Sequence, residues 1–218
     1  MSWLVSRRAA AGAGFPAMLA APSLVLFAAV FFATTAQAHT DGMPGHEHGL
    51  LSGAFFGGLG HPFGGLDHLL AMLAVGIWAM QQGGRALFAV PAAFVIGMAG
   101  GFMLGQAGIA MPLAETGIAL SVLALGLALA LALRPPLPLA LAATLLFALF
   151  HGHAHGAEMP ANASALLYAG GMLAGTALLH GLGIALSRMV GGHQQAASLL
   201  PRAAGIAVAL AGSALLLA

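Results

Sequence analysis

The chain has 218 residues, of which 61% are hydrophobic and only 5% are charged, whereas a soluble domain carries about 25% charged residues. Six arginines face five acids, and lysine and cysteine are absent, which excludes a basic nucleic-acid surface, disulfide bonds and thiolate metal sites. We therefore predict an all-α, polytopic helix bundle in contact with the lipid bilayer and without a nucleic-acid partner. Ten histidines stand out against this background, because histidine is the commonest metal ligand in proteins.

The N-terminal residues have the pattern of a cleaved signal peptide. Arg7 and Arg8 precede an apolar stretch over residues 18–33, and an A-x-A tripeptide ends just before His39. We predict that residues 1–38 are a signal peptide. The alternative is an uncleaved first membrane anchor.

A short polar segment, residues 39–49, comes next. It holds His39, His46 and His48 together with two acids, and short histidine-rich tracts are typical of metal binding. We predict that this segment lies outside the membrane and captures metal. The alternative is a solvated linker.

Residues 50–218 are predicted to form the transmembrane domain. Six apolar segments each come near the ~20 residues that a helix needs to cross a bilayer. The first segment contains Pro62, and a proline inside a helix removes a backbone hydrogen bond, so we expect a tilt or a break there. The six segments cover approximately residues 50–80, 86–107, 111–133, 137–157, 164–187 and 200–217.

Glycines recur in these segments at small-xxx-small spacing, which lets helix backbones approach closely in lipid. We predict that they mark helix contacts. The pairs are Gly53/Gly57, Gly60/Gly64, Gly97/Gly101, Gly101/Gly105 and Gly171/Gly175.

The arginines indicate the orientation of the bundle. Beyond residue 38 they are Arg85, Arg134, Arg188 and Arg202, which fall in or beside alternate connections between the predicted spans. By the positive-inside rule these connections are cytoplasmic. Both ends of the mature chain are then expected outside, as a cleaved signal peptide also requires.

The first predicted span carries two histidines and a carboxylate at membrane depth, where ionisable groups are costly and usually functional. His61 and His68 are seven residues apart, so on a regular helix their Cα atoms would be roughly 10 Å apart. Either the segment around Pro62 unwinds, or each histidine finds partners on other helices. Asp67 is expected to bind a metal directly or to hold an imidazole by a hydrogen bond. The alternative is a buried polar network that only orders the bundle.

The fourth predicted span ends in a second group of candidate ligands. His151, His155 and Glu158 share one face of a helix, and an i, i+4 histidine pair can chelate one metal. His153 falls on the other side of a regular helix. The alternative is a set of interfacial histidines at a helix end.

Two isolated polar residues complete the candidate ligands: Glu115 near the start of the third span, and His180 deep in the fifth. A set of nitrogen and oxygen ligands suits Ni(II), Co(II), Zn(II) or Cu(II). A Walker-type phosphate-binding loop is absent from the sequence, so we expect no ATP-driven step.

The two histidine motifs resemble those of the HupE/UreJ family, bacterial inner-membrane proteins linked to hydrogenase and urease gene clusters. The resemblance covers essentially the whole mature chain. It implies secondary transport of nickel, as uptake for hydrogenase or urease, with cobalt as the alternative ion. It also implies that the histidines and acids of both motifs bind the metal. The motifs are His61-Pro62-x-x-Gly65-x-Asp67-His68 and Phe150-His151-Gly152-x-Ala154-His155-Gly156-x-Glu158.

The leading interpretation is thus a non-enzymatic permease with Ni²⁺, or Co²⁺, as its transported ion and with no permanently bound cofactor. The rivals are a membrane metallo-oxidoreductase with histidine boxes, a haem-binding membrane protein, and a metal sensor or assembly factor that does not conduct. A homo-oligomer is compatible with the sequence.

Overall fold

The computed structural model describes residues 47–191 and 199–218, with side chains described over residues 52–189 and 199–218. These residues belong to one compact unit. The predicted signal peptide, His39 and His46 lie outside the described residues. His48 lies in the helix Glu47–Gly60, but its side chain is not among those described. The signal peptide and the capture of metal by the segment 39–49 therefore stay predictions.

The described part of the chain is all-helical. A single turn of 3₁₀ helix, His61–Phe63, separates the first two α-helices, and no strand occurs in the ranges given above. The α-helices are α1 Glu47–Gly60, α2 Leu66–Gln82, α3 Ala86–Gln106, α4 Ala114–Ala130, α5 Leu137–Ala157, α6 Ala165–Gly191 and α7 Leu199–Leu217.

Four helices, α3, α5, α6 and α7, are long and apolar enough to cross a membrane. The pair formed by α1 and α2 counts as a fifth span if it is taken as one bent helix. Helix α4 is apolar but has 17 residues, which is short of the ~20 that a bilayer requires. By length and composition, the prediction of six spans is thus supported for four or five helices of the described chain.

The first segment is broken at its polar motif, as the proline and glycines predict. Residues Ser52–Phe63 and Leu66–Gln82 meet at an angle of 79°. Pro62 is buried in the 3₁₀ turn, and Gly65 is extended, with φ −106° and ψ 128°, where α2 begins. A Cβ atom added to Gly65 would lie 2.6 Å from Oδ1 of Asp67. Glycine at this position therefore allows the backbone to pass close to the carboxylate.

Helices α3 and α5 pack closely because glycines line both sides of their contact. A Cβ atom at Gly101 would lie 2.2 Å from the carbonyl oxygen of Leu149, and one at Gly152 would lie 2.1 Å from that of Met98. Side chains at these positions would push the helices apart. The contact matters for function because α5 carries both His151 and His155.

The glycine prediction is only partly correct. Close helix contacts occur at Gly97, Gly101 and Gly105 and at the pair Gly171 and Gly175. In contrast, Cβ atoms added at three of the predicted positions in α1 would have no atom within 4 Å. The glycine of α1 that does pack closely is a neighbour of one of these, and it faces the backbone of Tyr168 on α6. The three are Gly53, Gly57 and Gly60, and the neighbour is Gly58.

Arg202 and the helix ends next to Arg85 and Arg134 lie at one end of the bundle. Arg202 Nε donates a hydrogen bond to the carbonyl of Ala130, at the end of α4 (2.9 Å). Trp78 Nε1, near the end of α2, donates to the carbonyl of Leu133 (3.0 Å). The ends of α2 and α4 and the start of α7 therefore meet. The start of α2 and the end of α5, which carry the two histidine motifs, lie toward the opposite end.

Candidate functional site

Four histidines from the two sequence motifs form one cluster, although about ninety residues separate them along the chain. The ring of His155 lies 4.7 Å from that of His61 and 4.4 Å from that of His68, measured between centroids. The rings of His68 and His151 are 4.7 Å apart. The break before α2 brings both histidines of the first motif to α5. Both expected alternatives therefore apply: the segment around Pro62 departs from a regular helix, and its histidines contact residues of another helix.

His68 is held by the carboxylate next to it in sequence. Oδ1 of Asp67 accepts a hydrogen bond from the backbone N–H of His68 (2.7 Å) and lies 2.8 Å from its Nδ1. Because a carboxylate is an acceptor, this geometry favours a proton on Nδ1 and leaves the lone pair on Nε2. Nε2 is buried and has no hydrogen-bond partner among the described residues. Asp67 thus supports an imidazole, which is one of the two roles expected for it.

His151 is fully buried and is held by a hydroxyl group of another helix. Its Nε2 lies 2.7 Å from Oγ of Ser121 on α4. The same hydroxyl donates a hydrogen bond of 2.6 Å to the carbonyl of Ile118, three residues before it. Nδ1 of His151 is buried and finds no partner in the described part of the chain.

His155 occupies the middle of the cluster, with rings of His61 and His68 against it. It is 0% exposed, and both of its ring nitrogens lack a hydrogen-bond partner among the residues described. Buried polar atoms are normally paired, so each exception calls for an explanation. Together with Nε2 of His68 and Nδ1 of His151, the nitrogens of His155 give four unpaired imidazole nitrogens on three neighbouring rings.

A second carboxylate lies at the rim of the cluster. Glu158 follows the last residue of α5, and its Oε2 is 3.2 Å from Nε2 of His61. The side chain of His61 is partly exposed and that of Glu158 is mostly exposed. The hydrogen bond with His61 lowers the pKa of Glu158 below its usual value. Glu158 is thus ionised at neutral pH and places a negative charge beside His61, at the rim of the cluster.

Two candidate ligands near this end of the bundle do not join the cluster. His153 points to the other side of α5, as its position on the helix predicts, and its Nε2 lies 2.8 Å from the carbonyl oxygen of Ile109. Glu115 is exposed in the first turn of α4. The described contacts of the four clustered rings do not include it.

His180 lies apart from the cluster but shares an aromatic neighbour with it. It is buried on α6, and neither ring nitrogen has a partner in the described ranges. The ring of Phe94 on α3 lies 5.1 Å from that of His180 and 5.7 Å from that of His151. His180 also borders a groove of about 420 Å³ between α3 and α6.

The clustered rings pack edge to face, with interplanar angles of 67° to 86° between His68 and its two neighbours on α5. Within residues 47–191 and 199–218, no group of three His, Asp or Glu side chains is arranged to hold a metal ion. The arrangement therefore supplies nitrogen donors and a nearby carboxylate, and the rings would have to rotate before three donors could bind one ion.

Three residues of this region were missed by reasoning from the sequence: Ser121, Phe94 and Tyr168. Ser121 is a single hydroxyl in an apolar helix, and such residues usually bond to their own backbone. Phe94 looks like ordinary apolar core. Tyr168, the only tyrosine, is buried with its ring 5.9 Å from that of His61, and its rarity was the available signal.

Comparison with known proteins gives two matches that cover most of the chain. The sequence model of the family described as "HupE / UreJ protein" matches residues 26–215. Protein HupE of Rhizobium leguminosarum bv. viciae is 48% identical over 172 residues, which are 78% of this chain and 89% of that protein. No solved structure matches.

Proposed function

The chain belongs to the HupE/UreJ family, and on that basis we propose that it carries a divalent transition-metal ion, nickel first, across the membrane by secondary transport. The observation that supports this proposal best is the cluster of His68, His151 and His155. Neutral imidazole nitrogens are metal ligands. Leaving such nitrogens buried and unpaired costs folding free energy, so several of them on neighbouring rings indicate a function.

The proposed route enters at the end of the bundle opposite the arginines. Glu158 and His61 meet the ion at the rim, and the buried rings receive it next. Because the rings are packed edge to face, the ion binds as they rotate. We expect the ring rotation to weaken binding, and conduction requires a site that can release its ion. The histidines of the segment 39–49 would raise the local metal concentration before this step.

His180 is the proposed next binding position for the ion, toward the end of the bundle where the arginines lie. The ring of Phe94 lies beside the rings of both His151 and His180, and we propose that an ion moving between them displaces it. A buried aromatic side chain at this point would prevent an ion from passing between His151 and His180 until the ring moves.

Nickel is proposed ahead of cobalt because of the resemblance to the HupE/UreJ family; a nitrogen and oxygen donor set alone suits both ions. The proposal includes direction, from the outer face of the bacterial inner membrane to the cytoplasm, and nickel enzymes such as hydrogenase or urease as the clients. The metal is cargo in this account, and the protein is not an enzyme.

The test is accumulation of radioactive nickel by cells that express the chain, compared with cells that carry the empty vector. We expect expression to raise nickel accumulation, and excess cobalt to compete more strongly than excess zinc. Unchanged accumulation at confirmed membrane expression would contradict the proposal. Stronger competition by zinc would contradict the choice of ion.

A further inference from the structure

Ser121 makes two short contacts with a single hydroxyl proton. Its Oγ is 2.6 Å from the carbonyl oxygen of Ile118 and 2.7 Å from Nε2 of His151. A carbonyl oxygen can only accept a hydrogen bond, so the hydroxyl proton must point to Ile118. At that distance two oxygens without a proton between them would repel each other.

The remaining contact then fixes the proton on the imidazole. Since the hydroxyl proton is already used, Oγ of Ser121 can only accept from His151. Nε2 of His151 must therefore carry a hydrogen, and in the neutral ring the lone pair is on Nδ1. Nδ1 is the buried atom for which the described residues offer no partner. The hydroxyl thus does for His151 what the carboxylate of Asp67 does for His68.

We propose that Ser121 is a positioning residue that holds His151 as its Nε2–H tautomer and so presents Nδ1 as the metal-binding nitrogen. The assignment of Nδ1 as a ligand rests on the proposed function, whereas the tautomer does not. Ligating histidines commonly donate their second ring N–H to an acceptor that fixes tautomer and orientation. Here that acceptor comes from α4, a helix that carries no ligand of the cluster.

The first experiment measures the tautomer in the metal-free, full-length protein. The protein is labelled with ¹³C and ¹⁵N histidine and studied by solid-state NMR in lipid, with the His151 signals identified by their loss in His151→Gln. We expect the Nε2–H form in the unmodified chain. An Nδ1–H form would overturn the proposal, and this measurement does not depend on transport or on any Ser121 variant folding.

The second experiment measures nickel binding to the purified protein. Loss of a side chain that orients a metal ligand typically costs about 10- to 100-fold in affinity, and we expect Ser121→Ala to weaken Ni²⁺ binding to that extent. Ser213→Ala is the matched control, because Ser213 donates to the carbonyl of Ala209 in its own helix (2.9 Å) and lies on α7. We expect the control to bind like the unmodified chain.

Rescue separates positioning from packing. Ser121→Thr keeps the hydroxyl and adds a methyl group, and we expect it to bind Ni²⁺ more tightly than Ser121→Ala. Equal binding by Ser121→Ala and the unmodified chain would overturn the role of Ser121 while leaving nickel transport intact. If the unmodified chain binds no Ni²⁺, the proposed function fails, and so does the assignment of Nδ1 as a ligand.

Discussion

At the scale of single residues, the site depends on which atom of each imidazole is free. Asp67 uses one oxygen for both the backbone N–H and the ring of His68, and Ser121 occupies Nε2 of His151. In both cases a carboxylate or hydroxyl group, and not another imidazole, selects the free nitrogen. The chemistry of the cluster is therefore set partly by residues outside the set of histidines.

Asp67→Asn tests this view. Asparagine keeps the size of the side chain and a carbonyl oxygen that can accept from the ring, but it removes the negative charge that favours a divalent ion nearby. We expect nickel uptake to fall severely, with affinity reduced about 10- to 100-fold, while membrane abundance stays normal. Quantitative immunoblotting supplies the abundance, and full uptake by Asp67→Asn would contradict the role of its charge.

Sequence reasoning succeeded for residues whose partners are close in the chain. The placement of His151 and His155 on one face of a helix follows from helical periodicity, and the exclusion of His153 follows from the same geometry. The role of Ser121 could not be found in this way, because its partner is thirty residues away on another helix. The separation of Glu115 from the histidine cluster could not be predicted from the sequence either, because it depends on how α4 packs against the other helices.

At the scale of elements, the break between α1 and α2 and the contact between α3 and α5 build the site. The break was predictable because Pro62 removes a helix hydrogen bond and the glycines that follow have low helix propensity. The meeting of the two motifs was not, because it depends on the register of helix packing. Glycine spacing gave that register correctly for α3 but incorrectly for α1.

Gly101→Ala should separate α3 from α5. The added Cβ would lie 2.2 Å from the backbone of Leu149, and backbone cannot yield as a side chain does. We expect a destabilisation of about 1–3 kcal/mol, seen as a lower melting temperature of the purified protein and weaker nickel uptake. Gly100→Ala is the control, since its Cβ would meet only the end of the Leu149 side chain at 3.5 Å. Equal effects of the two changes would contradict the packing argument.

At the scale of the whole molecule, the distribution of arginine predicts which end of the bundle faces the cytoplasm. The composition and the long apolar segments were sufficient to predict an all-helical membrane protein, because continuous apolar segments of about 20 residues satisfy their backbone in lipid as helices. The number of spans was less predictable, since α4 is short and the first segment is bent. Hydropathy indicates how long an apolar segment is, but it does not indicate whether the segment is bent or tilted.

The absence of cysteine makes the orientation directly measurable. We expect Asn162→Cys, between α5 and α6, to react with a membrane-impermeant maleimide added outside the inner membrane. Pro136→Cys, at the start of α5, should react only after the membrane is opened. Both positions are exposed, so access is decided by the membrane. The reverse pattern would contradict the proposed orientation and, with it, the entry of metal at the histidine cluster.

Whether the buried imidazoles carry the ion can be measured as nickel uptake into liposomes that contain only the purified protein. The unmodified chain should take up radioactive nickel above protein-free liposomes, and His155→Gln should fall to the protein-free level at equal reconstitution. His153→Gln is the matched control, because His153 lies on the same helix but contacts Ile109, and it should keep most of the uptake. Uptake by His155→Gln equal to that of the unmodified protein, or no uptake by the unmodified protein, would contradict the account.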